Sequence, residues 1–282
     1  MSLFIRTATG VLTTLLLLGS QGCVIVTDVT ATDWNLGADY SVREQSFQNV
    51  ERVEFEAAGT LYIVQGSSER LKLEGHKQAL AQLNVEEREG MLRITQSGKD
   101  YPWFELSQTA REPVYTLEMP TLQSLRHRGH GTVKVGPMTA ARLQIESRDH
   151  AETIFASINA REVFIFAHDH ADIQVQTLDS DALEVMSTDQ SDLFIADASL
   201  LDADMQARDQ SEVWIEGKAD SVALRIADHS DIGAAHFATA VARVRASDHA
   251  QAQLYVSDSA QVEEADHADI GISGNATVTH NP

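Results

Sequence analysis

The chain of 282 residues has a single cysteine, and its 21 lysines and arginines are outnumbered by 42 aspartates and glutamates. One cysteine excludes an intramolecular disulfide framework and a cysteine-based zinc site. The formal net charge of -21 argues against sequence-independent binding to DNA or RNA and against a polybasic contact with anionic lipid. We therefore expect no nucleic-acid partner. The hydrophobic fraction of 43% nevertheless excludes a disordered chain.

Familiar catalytic and hairpin motifs are missing as well. The sequence contains no G-x-S-x-G, no H-E-x-x-H and no Walker-type loop. It also lacks the pairs Asn-Gly and Asp-Gly that mark tight hairpins. Helix candidates are scarce, and the best of them is HKQALAQLN at residues 76–84.

Residues 1–22 read as an export signal. Arg6 supplies a positive charge, an apolar stretch that includes the run Leu15 to Leu18 follows, and Gly22 precedes Cys23. The stretch is shorter than the roughly 20 residues that span a bilayer. Either the signal is an ordinary cleaved one with an incidental cysteine, or it is a bacterial lipoprotein signal and Cys23 is lipidated. We favour the second interpretation and predict an envelope location, as an outer-membrane lipoprotein or as a periplasmic or secreted protein.

A short unit recurs through the second half of the chain at a spacing near 20 residues. Seven regular copies begin at residues 149, 169, 189, 209, 228, 248 and 266, and they read DHAETIF, DHADIQV, DQSDLFI, DQSEVWI, DHSDIGA, DHAQAQL and DHADIGI. A degenerate copy, GHGTVKV, lies 20 residues upstream at residue 129. Generic amphipathicity does not produce such regularity, so the repeat decides the fold.

Each unit alternates apolar and polar residues with a period of two, which predicts a strand. In the copy at 169, Ala171, Ile173 and Val175 share one face. A second apolar column lies upstream in each period, and a third, shorter one follows the unit. One coil cannot bury its apolar side alone, but coils stacked about 4.8 Å apart can. We therefore predict an all-β fold, a single parallel β-helix with about 20 residues per coil, because this period is short for the blade of a propeller. The second column holds Ile145, Ile165, Val185, Met205, Leu224, Val244 and Val262, and the third holds Ile158, Leu178, Ala198 and Phe237.

The remaining segments divide around this solenoid. Residues 23–45 have weak periodicity and are predicted as a lipidated N-terminus and tether, with an extra first strand as the alternative. Residues 46–275 form the predicted β-helix domain, and residues 276–282 a C-terminal tail. The first coils repeat less cleanly, as expected where the end of a solenoid must be capped.

Three segments carry a family resemblance. They read FQNVERVEFEAAGTLYIVQGSSERLKLEG, LNVEEREGMLRITQ and PVYTLEMPTLQSLRHRGHGTVKV. Together they resemble the auto-transporter adhesin family with the head GIN domain over roughly residues 46–275. The resemblance implies a right-handed parallel β-helix and a cell-envelope location. The chain departs from the family pattern at its turns, where Asp-His-Ala-Asp or Asp-Gln-Ser-Asp replaces a Ser-Gly-Ser-Gly-Asp type sequence.

Equivalent residues stack in a β-helix, so the repeat predicts polar columns on the surface. We name them the His/Gln ladder, the acidic ladder and the corner aspartates. Gln251 interrupts the acidic ladder. The His/Gln ladder holds His150, His170, Gln190, Gln210, His229, His249 and His267; the acidic ladder holds Glu152, Asp172, Asp192, Glu212, Asp231 and Asp269; the corner aspartates are Asp149, Asp169, Asp189, Asp209, Asp228, Asp248 and Asp266.

These columns have a structural interpretation and two functional ones. Aspartate caps turns, and histidine or glutamine can hydrogen-bond between coils. Alternatively, stacked carboxylates repel one another and a divalent cation would relieve the repulsion. Proton sensing by histidines beside carboxylates is the third option. We favour the structural interpretation and expect no cofactor beyond a weakly bound divalent cation, whose weak candidate ligands are His229 and His249.

Two classes of function remain open. The first is a non-enzymatic, adhesin-like envelope protein that binds a glycan or a surface protein through the ladder-bearing face. The second is a carbohydrate-active β-helix enzyme, a polysaccharide lyase or hydrolase, with the aromatic loop at residues 101–104 as sugar platform. We favour the first, because the acidic residues sit in repeated columns and none stands out as a unique acid or base. Oligomeric state stays open.

Overall fold

The computed structural model describes residues 27–29, 39–97 and 112–281. Stacked coils form a β-solenoid of about 8 turns with roughly 20 residues per turn, which confirms the predicted fold class. Each regular coil has one strand before the turn that contains the corner aspartate and one strand after it. Both pair in parallel with the same strand of the next coil, as when Ile145 lies beside Ile165 and Ile165 beside Val185.

The regular coils run from residue 132 to residue 264. Their strands continue through the bends of each coil, so several exceed 14 residues in length. Every strand places alternate side chains inward, as the apolar period of two predicted. The strands are β10 (Thr132–Asp149), β11 (Glu152–Ala167), β12 (Asp172–Val175), β13 (Leu178–Ser187), β14 (Asp192–Ala207), β15 (Glu212–Ile226), β16 (Asp231–Ala246) and β17 (Gln251–Glu264).

The N-terminal part is less regular and mixes parallel with antiparallel pairing. Four antiparallel pairs among the described strands, β1 with β2, β2 with β5, β5 with β8 and β6 with β7, close this end of the solenoid. The helix α1 is shorter than the predicted segment 76–84, and β2 begins inside the predicted tether. The elements are β1 (Thr27–Val29), β2 (Tyr40–Ser46), β3 (Arg52–Glu56), β4 (Thr60–Gln65), β5 (Arg70–His76), α1 (Lys77–Ala81), β6 (Leu83–Arg88), β7 (Met91–Gln96), β8 (Val114–Met119) and β9 (Ser124–Gly129).

The predicted apolar columns fill the interior of the solenoid. All residues of the second and third columns are buried, as are Ala171, Ile173 and Val175 of the first. Small residues pack at the turn, where the hydroxyls of Ser187 and Ser191 lie 2.8 Å apart. The last coil, β18 (Asp269–Gly274) and β19 (Thr277–Asn281), pairs with β17 alone among the described strands, so Ile270 and Ile272 are only partly buried.

A histidine is buried within this interior. The His127 imidazole on β9 is 0% exposed, and its Nδ1 lies 2.9 Å from the Oγ1 of Thr153. Its Nε2 has no hydrogen-bond partner among the described residues, and its ring packs on Phe55 with 5.5 Å between centroids. Burial lowers the pKa of His127 to about 4, because a charged imidazolium would lose its hydration.

His127 should make the fold sensitive to acid. Because the folded pKa lies below the ordinary value of 6.5, the unfolded chain binds more protons between these two values. The stability contribution is therefore complete above pH 6.5 and is lost as the pH falls. From about pH 7.5 to about pH 4.5, we expect the wild type to lose about 2 kcal/mol more unfolding free energy than His127→Leu. Urea unfolding at both pH values measures this difference. His267→Leu, at an exposed position, should keep the wild-type dependence, and a His127→Leu variant that also kept it would contradict the prediction.

Candidate functional site

The turn that repeats in every regular coil has an uncommon backbone. The residues of each pair from Asp169-His170 onward have positive φ, with 56° for Asp169 and 67° for His170. The Ala171 amide closes the turn by donating to the His168 carbonyl at 3.2 Å. Two consecutive residues with positive φ define a type I′ turn, which usually contains Asn-Gly. Aspartate and histidine are enriched among the non-glycine residues that adopt this conformation.

The turns are also tied to one another. The His170 amide donates to the carbonyl of Asp189 in the next coil at 3.1 Å, and the His229 amide donates to Asp248 at 3.1 Å. The backbone carbonyls of the corner aspartates therefore accept hydrogen bonds that link one turn to the next. This geometry supplies a structural reason for their repetition.

The His/Gln ladder is an exposed column of stacked side chains. Ring centroids of His229 and His249 are 5.0 Å apart with an interplanar angle of 3°, and those of His249 and His267 are 5.1 Å apart. His150 and His170 are 5.2 Å apart, and Gln190 donates to Gln210 at 2.8 Å. The ladder thus combines ring stacking with an amide hydrogen bond at its centre.

His130 extends this ladder by one coil, which the sequence reasoning missed. Its ring stacks on that of His150 at 5.0 Å. The sequence does indicate this position, because the degenerate copy GHGTVKV places His130 20 residues before His150. Glycine in place of aspartate disguised the copy.

The acidic ladder runs beside the turns on the strands that follow them. Asp172, Asp192 and Glu212 occupy equivalent positions in successive coils, and Asp231 follows Glu212. Asp269 lies on the last coil, beyond Gln251. Burial raises the pKa of Asp192, and the charges of Glu212 and Asp172 raise it further. Burial and Glu212 likewise raise the pKa of Asp231. The column therefore holds like charges that destabilise one another.

Two exposed aromatic residues lie on the same face, two residues beyond the acidic ladder. Phe194 is 40% exposed and Trp214 is 49% exposed, and the two lie side by side in successive coils. In the following coil the equivalent residue is Gly233. A Cβ at Gly233 would lie 2.3 Å from Cε3 of Trp214, so the indole occupies the space where a side chain at that position would begin.

We call this surface the acidic face: the acidic ladder together with Phe194, Trp214 and Gly233. The sequence reasoning missed the aromatic residues, although the copies DQSDLFI and DQSEVWI show them at a position where the other regular copies have isoleucine, glutamine or glycine. The indole covers Gly233, and Trp214 is 49% exposed. Carboxylates of Asp192, Glu212 and Asp231 flank it along the neighbouring column.

A metal centre is not apparent in the described part of the chain, where no three histidine, cysteine, aspartate or glutamate side chains cluster around a common point. The rings of His229 and His249 are parallel to within 3°, so the lone pairs of their ring nitrogens lie in separate parallel planes and do not converge. Cys23 and the aromatic loop at residues 101–104 lie outside the described residues.

Fold and surface together define a parallel β-solenoid whose coils repeat the same polar columns. A family model described as "Putative auto-transporter adhesin, head GIN domain" matches residues 49–276. The chain belongs to this family, which confirms the resemblance seen in the sequence and indicates a cell-surface or envelope protein. No helix in the described ranges is long and apolar enough to cross a membrane.

Solved structures share the fold at low sequence identity. A protein described as a putative adhesin from Parabacteroides distasonis is 12% identical, with a TM-score of 0.62 over 86% of this chain and 92% of that one. A putative adhesin from Parabacteroides merdae is 11% identical, with a TM-score of 0.56 over 87% of this chain and 97% of that one. A Parabacteroides distasonis protein described as a putative lipid binding protein is 13% identical, with a TM-score of 0.50 over 87% and 98%. No curated protein matches the chain.

The ladder geometry leads to a prediction about metal ions. We expect a chelator to leave the thermal midpoint nearly unchanged, because stacking and hydrogen bonds hold the ladder without a ligand. Titration calorimetry with zinc and calcium should show at most weak binding, since glutamine at 190 and 210 is a poor transition-metal ligand. Tight stoichiometric binding that the double variant His229→Gln, His249→Gln abolishes would overturn this interpretation.

Proposed function

We propose that this protein is a non-enzymatic, adhesin-like envelope protein that binds a glycan on its acidic face. The observation that carries the proposal is the exposed indole of Trp214, which lies over Gly233 beside a column of carboxylates. An aromatic plane offers its face to the C–H groups of a sugar ring, and carboxylates accept hydrogen bonds from sugar hydroxyls. The acidic face supplies both groups on one strand.

The geometry also favours one class of glycan. Burial first, and then the charge of Glu212, raise the pKa values of Asp192 and Asp231, so this face disfavours further negative charge. A uronic acid or sulfated sugar would add further repulsion. A neutral sugar, or an amino sugar with a positive charge, would not. We therefore infer a neutral or amino-containing polysaccharide at this face.

Repetition supports a binding role over catalysis. The carboxylates of the acidic face recur in coil after coil at about 4.8 Å spacing, and each has the same relation to its neighbours. General acid–base chemistry requires two groups with different protonation states at one point. A uniform row instead gives a polymer many equivalent contacts.

Replacement of Trp214 tests the proposed site. We expect Trp214→Ala to weaken binding to the best neutral or amino-containing polysaccharide by about tenfold, because the aromatic plane is lost. Affinity electrophoresis against a panel of neutral, amino-containing and acidic polysaccharides identifies the ligand, and calorimetry measures its affinity. Leu201→Ala is the matched control, since Leu201 is 50% exposed at another bend of the coil. Unchanged affinity in Trp214→Ala would contradict the proposal.

We also propose that a lipid on Cys23 holds the protein at the outer membrane. The support is the signal sequence, in which Gly22 precedes the chain's single cysteine. Mass spectrometry of the membrane fraction should detect an acylated N-terminal peptide. Cys23→Ser should move the protein to the soluble fraction, since the acyl chains supply the attachment. A wild-type mature chain that is unmodified and starts at another residue would refute the anchor.

A further inference from the structure

The strands that precede the turns carry a second surface, whose charge is opposite to that of the whole chain. We call it the arginine face and define it as the outward side chains of segments 124–128, 144–148, 164–168, 184–188, 204–208, 223–227, 243–247 and 261–265. It holds seven arginines and five carboxylates, in a chain of net charge -21. The arginines are Arg126, Arg128, Arg148, Arg208, Arg225, Arg243 and Arg245, and the carboxylates are Glu146, Glu184, Asp204, Glu263 and Glu264, the last of which is exposed at the C-terminal end.

At its N-terminal end three arginines share one carboxylate. Arg148 Nε lies 2.8 Å from Glu146, Arg126 Nε lies 3.3 Å from it, and Arg128 lies 4.0 Å from it. One glutamate cannot neutralise three guanidinium groups. Burial lowers the pKa of the neighbouring His168, and the positive charge of Arg148 lowers it further, against the opposing charges of Glu146, Asp169 and Asp189.

Two glutamates on the neighbouring strand β3, outside the arginine face, are themselves paired with another arginine. Glu54 lies beside Arg126 in the preceding coil, but Arg93 pairs with it at 3.5 Å. Glu56 also pairs with Arg93, at 4.0 Å.

At its C-terminal end the arginine face forms a trough. Arg208, Arg225 and Arg245 come from three successive coils and line a depression of about 370 Å³. Alanines at 227, 246 and 265 leave the space open. Arg225 pairs with Asp204 at 2.5 Å and Arg245 with Glu263 at 2.6 Å. Arg208 has no ion pair or side-chain hydrogen bond within the described ranges and borders a second depression of about 200 Å³.

The column that joins the two ends contains no carboxylate, and its Thr188 hydroxyl donates to the corner aspartate Asp189 at 2.7 Å. Arg148, His168, Thr188 and Arg208 occupy equivalent positions in four successive coils, and His168 Nδ1 lies 2.8 Å from the Thr188 hydroxyl. Coils repeat about every 4.8 Å, so the unneutralised arginines at the two ends lie on the order of 14 Å apart along the axis. A single small anion cannot contact both. A linear chain with anionic groups along its length can.

We propose that the arginine face binds an acidic polysaccharide, a chain of uronate or sulfated sugars that lies along the solenoid axis. Guanidinium groups recognise carboxylates and sulfates through paired N–H donors. A broad anionic surface such as a bilayer would also approach the acidic face and the corner aspartates within about a Debye length, and they would repel it. A single polymer strand can occupy the trough alone. This site is separate from the acidic face and takes a ligand of opposite charge.

Binding of polygalacturonate tests the proposal, with dextran as the neutral polymer. We expect the wild type to bind polygalacturonate more tightly than dextran, with an affinity that falls as salt rises. The double variant Arg148→Gln, Arg208→Gln should bind polygalacturonate about tenfold more weakly and with a smaller salt dependence. The control is Arg88→Gln, Arg161→Gln, which removes the same charge at exposed positions outside the arginine face. Unfolding curves should show that both double variants fold.

Several outcomes would overturn this proposal. Equal losses in the two double variants would show that net charge alone governs binding. Polygalacturonate binding that is undetectable, or that Arg148→Gln, Arg208→Gln leaves unchanged, would contradict the arginine face as an anion site. Binding to phosphatidylglycerol vesicles that is tighter than binding to polygalacturonate and is lost in Arg148→Gln, Arg208→Gln would assign the surface to lipid. Trp214→Ala should leave polygalacturonate binding unchanged, so failure of the proposed glycan site would not affect this test.

Discussion

In-register parallel pairing between coils is the constraint on which this structure depends. A coil of about 20 residues has no interior of its own, and its apolar side chains are buried only by the equivalent residues of the coils above and below. A slip of one residue would turn each inward side chain outward. The coil that begins at residue 209 is one residue shorter than the coil before it. The missing residue falls between two paired positions, Ile195 with Ile215 and Ala198 with Gly217, so the strands on either side keep their register. Gly217, with φ of 119°, allows the close passage, because a Cβ there would lie 2.1 Å from the Ala198 carbonyl oxygen.

The turn residues follow from the same constraint. Positive φ at two consecutive non-glycine residues costs on the order of 1 kcal/mol or more for each. Amide-to-carbonyl bonds such as His170 to Asp189 connect each turn to the next, and they form only when all turns have the same conformation. Histidine at the second position adds a ring stack, and the pair Gln190 and Gln210 adds a hydrogen bond. Structure thus accounts for the most conspicuous polar repeat in the sequence.

The elements that repeat could be predicted from the sequence, and the elements that occur only once could not. Period-two alternation around Ile173 and the spacing of the Asp-His pairs were sufficient for the fold class and the buried columns. The antiparallel closure by β2 and β5 could not be predicted, because capping strands are unique and have no second copy for comparison. Trp214 and Phe194 were missed for a related reason. The period of two already assigns them to the outward face of the strand, but the sequence reasoning followed only the polar residues that recur in most copies, and these two aromatic residues do not recur.

The arginine face was hidden because its columns are irregular. Arg128, Arg148, His168, Thr188 and Arg208 share one column, but no repeat unit in the sequence displays them as a set. Overall composition concealed the face further, since a net charge of -21 argues against polyanions when charge is averaged over the chain. In a solenoid, however, the charged residues are not distributed evenly over the surface. Alternation sends each outward residue of a strand to one surface, and stacking repeats that surface along the axis, so the strands on the two sides of a turn can carry opposite charges.

This separation has a consequence for how an adhesin of this kind would bind. Each coil offers a polymer only one or two exposed polar groups, and each such contact contributes little by itself. A chain that lies along the axis loses its translational freedom once and then gains a contact from every further coil. Affinity should therefore depend on the length of the ligand and on the number of coils it spans. The loss of one anchor such as Trp214 or Arg208 should then weaken long ligands proportionally less than short ones, because the remaining coils still hold the chain in register.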